Sequence, residues 1–204
     1  MNPGRRTQAE RSAMTRDALV AAARPLFART GFSEVSVEAI VRAASVSRGA
    51  LYHHFTDKNE LFAAVLEEIE SEVADRIRAA AADGADADPI DVMRSGAAAF
   101  LDACAEPEIH RIMLVDAPAV LGWVRWTEIS AQNNMGLIQD LLAQSIETGR
   151  IPVQPVDPLA HTLLGALREA ALYLARSEDT ARARREVGDV IDRLIRNLAA
   201  DPSQ

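Results

Sequence analysis

The sequence is poor in cysteine and has no long apolar stretch. Cys104 is the only cysteine among 204 residues, which excludes a disulfide within the chain and suits a cytoplasmic protein. We expect Cys104 to be a small buried hydrophobe rather than a redox sensor. No run approaches the ~20 apolar residues that span a bilayer, and the N-terminus lacks the pattern of a signal peptide. The sequence therefore predicts a cytoplasmic protein with no membrane partner.

Motifs for catalysis and for metal binding are also missing. The chain contains no Glu-x-x-His pair, no nucleophile motif and no glycine-rich phosphate loop. His53 and His54 are adjacent, so on a helix they point away from each other and do not predict a metal site. No segment alternates apolar and polar residues convincingly, as a strand would. We expect an all-α protein that is not an enzyme and needs no cofactor.

Charge is divided unevenly along the chain. Residues 1–58 hold nine basic and five acidic residues, a net charge of +4, whereas the remaining 13 basic and 25 acidic residues give −12. Lys58 is the only lysine. A basic N-terminal part on an acidic body is typical of a protein that turns one end toward nucleic-acid phosphates.

Residues 36–58 predict two short helices joined by a tight turn. Val37, Ile40 and Val41 have helical spacing, and Ser36 precedes them as an N-cap. Ser47 is placed in the same way before the second helix. Such a pair is a helix-turn-helix, whose second helix can enter the DNA major groove.

At this point the sequence resembles a known family. Residues 15–66 are similar to the DNA-binding domain of the tetracycline-repressor (TetR) family of transcription regulators, in the words ALVAAARPLFARTGF and SVEAIVRAASVSRGALYHHFTDKNELF. The run G-A-L-Y-x-H-F-x-x-K is its most specific part. The resemblance implies a ligand-responsive, homodimeric DNA-binding regulator, most often a repressor that a small molecule releases from a palindromic operator. It also implies about nine helices, with a helix-turn-helix domain in residues 1–58 and an effector-binding and dimerisation domain in residues 59–204.

Ten residues are predicted to contact DNA. Arg48 is the best candidate for a bidentate contact to guanine, Gly49 lets the backbone approach closely, and Lys58 is expected to clamp a phosphate. The full set is Thr15, Arg16, Ser36, Val37, Ser47, Arg48, Gly49, Tyr52, His54 and Lys58. Residues 1–12, with Arg5 and Arg6, are expected to form a mobile arm, either a solvated terminus or a basic tail on the DNA.

The rest of the chain is predicted from periodicity and helix breakers. We expect helices over about 12–29, 58–82, 90–105 and 122–148, a polar break at 83–88, a short helix from Pro107, and a helix cap at Asp116. Three prolines in 151–158 predict an extended connection. Two more helices follow.

The last two helices carry wide apolar stripes that predict a four-helix dimer interface, although burial within one chain is the alternative. The predicted interface residues are Leu163, Leu167, Ala170, Leu174, Val187, Val190, Ile191, Leu194, Ile195 and Leu198. A two-fold dimer implies a palindromic or nearly palindromic operator.

The effector pocket is the part that the sequence predicts least specifically. Large and polar residues in the middle of the body are the candidates, with core packing, caps and surface pairs as alternatives. They are Phe100, His110, Met113, Trp123, Trp126, Arg168, Glu169 and Tyr173, with Met135, Asp116 and His161 as further possibilities. We expect a largely apolar effector. A DNA-binding activator and a helical scaffold protein without an effector are the alternative functions.

Overall fold

The computed structural model describes residues 7–82 and 88–199, and these residues form helices joined by short connections, without a strand. The α-helices are α1 (Gln8–Thr30), α2 (Val37–Ala43), α3 (Arg48–His54), α4 (Lys58–Ala82), α5 (Pro89–Ala105), α6 (Pro107–Ile109), α7 (Ala117–Glu147), α8 (Val156–Arg176) and α9 (Thr180–Arg196), with a π-helix over His110–Asp116. The predicted all-α fold is confirmed. Arg5, Arg6 and most of the predicted break at 83–88 lie outside the described residues.

Helix α1 begins earlier than predicted. Thr7 is its N-cap, because its hydroxyl accepts from the N–H of Glu10 while the Glu10 carboxylate accepts from the N–H of Thr7. This reciprocal pair satisfies two backbone donors at the helix start. Residues 8–12 are therefore helical, and their assignment to a mobile arm was wrong. The helix ends at Gly31, which has a φ of 82°.

The two predicted caps of the helix-turn-helix are confirmed. Ser36 accepts from the N–H of Ala39 and Ser47 accepts from the N–H of Ala50, each at 3.1 Å. Fully buried Ile40 and Leu51 anchor α2 and α3 against the rest of the N-terminal part. Because Leu51 packs α3 against the core from one side, the opposite side of α3 faces solvent.

An aromatic cluster joins this N-terminal part to α4. The rings of Phe27 and Phe62 meet edge to face at 5.2 Å, and Phe32 packs on both. Phe27 and Phe62 are fully buried, and such pairs add stability beyond the area that they bury. Helix α4 is thereby held firmly against α1.

The segment before the long helix differs from its prediction. Asp116 was expected to cap a helix, but it lies in helical conformation at the end of the π-helix and makes no cap hydrogen bond. Its carboxylate instead accepts from the N–H of Phe32, 2.9 Å away and 84 residues earlier. Helix α7 begins at Ala117, and Gly122, with a φ of 76°, divides it at the point where the long helix was predicted to start.

The body is a bundle in which α4, α5, α7, α8 and α9 pack on one another. Helix α8 starts at Val156, so the extended connection predicted over 151–158 is shorter than expected. Pro158 is tolerated there because first-turn N–H groups have no partner within the helix. Cys104 is buried, and burial raises the pKa of its thiol. In the described parts of the chain, no helix is long and apolar enough to cross a membrane.

Candidate DNA-binding surface and effector cavity

Arg48 is displayed at the start of α3. Its side chain is 61% exposed, and its guanidinium donates to Glu38 Oε1 at 2.6 Å and to the Tyr52 hydroxyl at 3.4 Å. The guanidinium also lies over the Tyr52 ring, 5.5 Å from its centroid. These contacts orient the planar guanidinium in the free protein. Because they all face solvent, a bound molecule can replace Glu38 and Tyr52 as the hydrogen-bond partner of Arg48.

The neighbouring candidates fall into two groups around α3. Tyr52 is 45% exposed. Burial lowers the pKa of His54, and the charges of His53 and Arg16 lower it further. Arg16 lies over the Phe55 ring at 5.4 Å and is exposed. Tyr52 thus lies against Arg48, whereas Arg16 and His54 line a separate surface pocket together.

The other predicted DNA-contact residues have identifiable local positions. Ser36 and Ser47 are helix caps, and Val37 begins α2. The Thr15 hydroxyl donates to the Arg11 carbonyl of its own helix at 2.9 Å. A Cβ built on Gly49 would meet only Ser47 Oγ, at 3.8 Å. Nothing described within the chain therefore requires a glycine at this position.

Lys58 makes contacts within the chain that the sequence analysis did not predict. Its ammonium donates to the carbonyls of Phe32 and Val35, both at 2.9 Å, and lies 4.0 Å from the centroid of the Phe32 ring. Burial lowers its pKa. Two of the three N–H groups of the ammonium are therefore engaged with the chain's own backbone. Its observed role is to hold the connection between α1 and α2 against the start of α4.

A polar junction connects the N-terminal part to the body. Arg24 of α1 donates to Glu72 at 2.8 Å, to Glu68 at 3.3 Å and to Glu108. A second contact runs through Asp116, which accepts from Phe32 and also pairs with Arg111 at 3.2 Å. The π-helix and its neighbour α6 therefore touch both the body and the end of α1.

An apolar cavity of about 70 Å³ lies within the body. That is about five times the ~10–15 Å³ that one buried water needs on the same measure. Side chains from α4, α5, α7, α8 and α9 line it, among them Ile77, Phe100, Leu141, Leu167 and Ile195. It is the candidate effector site, although its composition differs from the prediction.

Phe100 is the only one of the eight predicted pocket residues that lines this cavity. The others serve different purposes. Arg168 stacks on the rings of Trp123 and Trp126, at 5.0 and 6.0 Å, and Glu169 pairs with Arg176 at 2.7 Å. His110 contacts the Ala175 carbonyl, Met113 is buried elsewhere in the core, and Tyr173 is half exposed. Met135, Asp116 and His161 are also absent from the lining.

The sequence analysis missed a buried polar cluster beside the cavity. Glu70 of α4 is fully buried and accepts from the Ser130 hydroxyl and from Asn134 Nδ2, the latter at 3.4 Å. Burial raises the pKa of Glu70 to about 7, against the lowering effect of these hydrogen bonds. The available signal was the four-residue spacing of Trp126, Ser130 and Asn134, which places them on one face of α7.

The predicted dimer interface divides into an inward and an outward set. Leu163, Leu174, Ile191 and Ile195 are buried within the single chain, as the alternative of burial within one chain expects. Val190 and Leu194 remain 50% and 44% exposed. The remaining four residues, Leu167, Ala170, Val187 and Leu198, are partly buried.

Two family models match the chain. Residues 19–65 match "Bacterial regulatory proteins, tetR family", and residues 90–198, more than half of the chain, match "Tetracyclin repressor-like, C-terminal domain". Among curated proteins, the regulator CymR of Pseudomonas putida is 42% identical over 79 residues, which is 39% of each chain. The aligned part therefore spans well under half of CymR. The TetC protein of transposon Tn10 from Escherichia coli is 24% identical over 85% of this chain and 87% of its own.

Solved structures resemble the whole chain. A TetR-family transcriptional regulator from Pectobacterium atrosepticum is 36% identical, with a TM-score of 0.85 over 97% of this chain and all of that one. RolR, whose structure contains resorcinol, has a TM-score of 0.74 over 96% of this chain and 97% of its own. At 21% identity RolR shows the shared fold alone. The family models and the Pectobacterium structure together establish that this chain belongs to the TetR family of helix-turn-helix transcriptional regulators.

Proposed function

We propose that this regulator is a homodimeric repressor that reads a palindromic operator with α3 and leaves it when a small molecule binds in the body. The observation that carries the proposal is Arg48, an exposed guanidinium held by Glu38 and Tyr52 at the start of the helix that would enter the major groove. Arginine in this position can donate two hydrogen bonds to guanine O6 and N7. A DNA-binding regulator of this kind acts where the chromosome lies, in the cytoplasm.

The uneven distribution of charge supports a division of the chain into two functional parts. Residues 1–58 act as the DNA-binding domain, and residues 59–204 bind the effector and the second subunit. Arg16, Tyr52 and His54 contact phosphates or base edges beside those that Arg48 reads, together with Thr15, Ser36, Val37 and Ser47. Gly49 allows close approach of DNA, since nothing described within the chain needs a glycine there.

Dimerisation uses the outward face of α9. Val190 and Leu194 are large apolar residues left half exposed in one chain, and burying such residues against a two-fold mate removes them from water. Val187 of α9 is partly buried, as is Leu198 just after the helix ends. A symmetric dimer presents two copies of α3, which is why the operator is expected to be palindromic.

The effector binds in the apolar cavity of the body. RolR holds resorcinol in a protein of the same fold, which supports a small molecule as the effector here. A ligand in this cavity would contact α4, which also packs against α1. Binding can therefore change the position of the DNA-binding domain through a helix that touches both.

Replacing Arg48 by alanine tests the DNA-reading role. We expect the variant to bind the operator ~30- to 25,000-fold more weakly, because the dimer loses two bidentate contacts of ~1–3 kcal/mol each, and to lose preference at one base pair of each half-site. Fluorescence anisotropy on the operator and on a scrambled duplex measures both effects.

Arg182→Ala is the matched control, since Arg182 is also an exposed arginine paired with a glutamate, at 2.7 Å, but lies on α9. It should bind the operator as the unmodified protein does. Equal affinities for the Arg48→Ala and Arg182→Ala proteins would show that Arg48 does not read DNA.

A further inference from the structure

The acidic partner of Arg48 lies on the other helix of the helix-turn-helix. Glu38 is in the first turn of α2, and its Oε1 accepts from Nη1 of Arg48 at 2.6 Å. The two side chains are 57% and 61% exposed. An exposed ion pair adds little to the stability of a fold. Glu38 can therefore be changed without unfolding the chain, and its main effect falls on Arg48.

Arg48 can contact guanine without leaving Glu38. A guanidinium has five N–H groups in a rigid fork. Glu38 accepts from one of those on Nη1, and the Tyr52 hydroxyl accepts from one of those on Nη2. The N–H groups that are left are enough for guanine O6 and N7. Glu38 can therefore continue to hold the guanidinium while Arg48 reads a base.

Reading by Arg48 brings the Glu38 carboxylate to the edges of the bases. Successive bases of one strand are ~3.4 Å apart, and Glu38 Oε1 lies 2.6 Å from Nη1 of Arg48. The carboxylate is therefore within about one base step of the guanine that Arg48 contacts. Its second oxygen, Oε2, takes no part in the contact with Arg48 and can accept from another donor.

The major groove offers a carboxylate few partners. Cytosine N4 and adenine N6 are amino groups that can donate to it, whereas guanine O6 and thymine O4 are acceptors. An ionised carboxylate only accepts hydrogen bonds, so guanine or thymine at this position would place oxygen against oxygen and leave the charge without a partner. Glu38 is therefore complementary to cytosine or adenine and opposed to guanine or thymine.

We propose that Glu38 is a second base-reading residue, which holds Arg48 with Oε1 and accepts with Oε2 from a cytosine or adenine next to the guanine of Arg48. This inference rests on the proposed DNA-reading role of Arg48 and extends it to a second base pair. Each half-site of the operator then contains a guanine beside a base pair whose amino group lies on one particular strand.

Binding of the full-length protein to altered duplexes tests the assignment at single base pairs. The preferred duplex is selected from a random pool, and the base pair whose preference is lost in Arg48→Ala marks the guanine. The base pairs on either side of it, in one half-site, are then replaced by each of the alternatives. At one of these positions, guanine or thymine on the strand that Glu38 reads should bind at least ~10-fold more weakly than cytosine or adenine.

Two variants locate the preference. Glu38→Gln keeps the shape of the side chain, but its amide both donates and accepts, so the four duplexes should bind within about twofold of one another. Glu34→Gln is the matched control, because Glu34 is another exposed acidic residue of the N-terminal part and its replacement changes the charge equally. It should keep the preference of the unmodified protein.

Three results would overturn the role of Glu38. They are a preference that survives in Glu38→Gln, a preference that Glu34→Gln also removes, and equal binding of the four duplexes at both neighbouring positions. If Arg48→Ala still loses its own base pair in such a case, the proposed DNA-reading function holds and only the assignment of Glu38 fails. If the unmodified protein prefers no duplex, both fail.

Discussion

Replacing Glu70 by glutamine should increase the free energy of unfolding by about 3 kcal/mol at pH 8 and by much less at pH 5, relative to the unmodified protein. Glu70 is fully buried on α4 with hydrogen bonds but no cation, and burial raises its pKa from 4.5 to about 7. At 1.36 kcal/mol for each pKa unit, this shift corresponds to about 3 kcal/mol.

The direction follows from proton linkage. Below pH 4.5 the Glu70 carboxyl group is protonated in both the folded and the unfolded chain. Its ionisation then takes nothing from the free energy of unfolding, so the stability that its raised pKa provides is fully present. Between pH 4.5 and about 7 the unfolded chain loses the proton while the folded chain keeps it, and stability falls as the pH rises. Above pH 7 both states are ionised and no further loss occurs. A neutral amide has no such dependence.

Urea denaturation of both proteins at pH 5 and at pH 8 measures the difference. Glu67→Gln is the control, because Glu67 is exposed on the same helix, and it should change stability by less than about 0.5 kcal/mol at either pH. The same stability difference for Glu70→Gln at both pH values would mean that the Glu70 carboxyl group does not have a raised pKa.

Replacing Gly31 by alanine should destabilise the protein by about 2–3 kcal/mol. Gly31 has a φ of 82° and a ψ of 162°, a region that side chains with a Cβ avoid at a cost of ~1–3 kcal/mol. A Cβ there would also collide with Nη2 of Arg111. The guanidinium would have to move away, and its contact with Asp116 at 3.2 Å would be lost.

Two other glycines separate strain from collision. Gly149 has a φ of 71° and open space around it, whereas Gly136 lies inside α7 with nothing within 4 Å of an added Cβ. Gly149→Ala should cost ~1–2 kcal/mol from strain alone, and Gly136→Ala should stabilise the helix by ~0.5–1 kcal/mol. The urea denaturation midpoint should therefore be highest for Gly136→Ala, lower for Gly149→Ala and lowest for Gly31→Ala. If Gly31→Ala is no less stable than Gly149→Ala, the collision with Arg111 does not contribute to the destabilisation.

The helix-turn-helix could be predicted from the sequence because its signals are local. Ser36 and Ser47 cap helices whose apolar residues recur within one or two turns, and the predicted limits of α4 match the structure. Asp116 and Lys58 show what local interpretation missed. Each bonds backbone groups more than twenty residues away, and no spacing pattern indicates such a contact.

The cavity and the dimer surface depend on packing between distant helices. The prediction selected aromatic and charged residues by type, whereas the cavity is walled mostly by aliphatic residues from five helices. The sequence showed an apolar stripe on α9, but this stripe is wide enough to pack against the chain's own core on one side and to face outward on the other. Periodicity alone could not separate buried Ile191 and Ile195 from exposed Val190 and Leu194.

The most direct test of DNA reading is to select bound duplexes from a random pool and then titrate the preferred duplex with salt. Two copies of α3 related by a two-fold axis should select a palindrome. If the dimer makes six to ten phosphate contacts, the logarithm of affinity should fall with the logarithm of salt concentration with a slope of roughly −5 to −9. A palindrome with such a slope is the predicted result. No enriched sequence at any salt concentration would contradict the account of α3 as the DNA-reading helix.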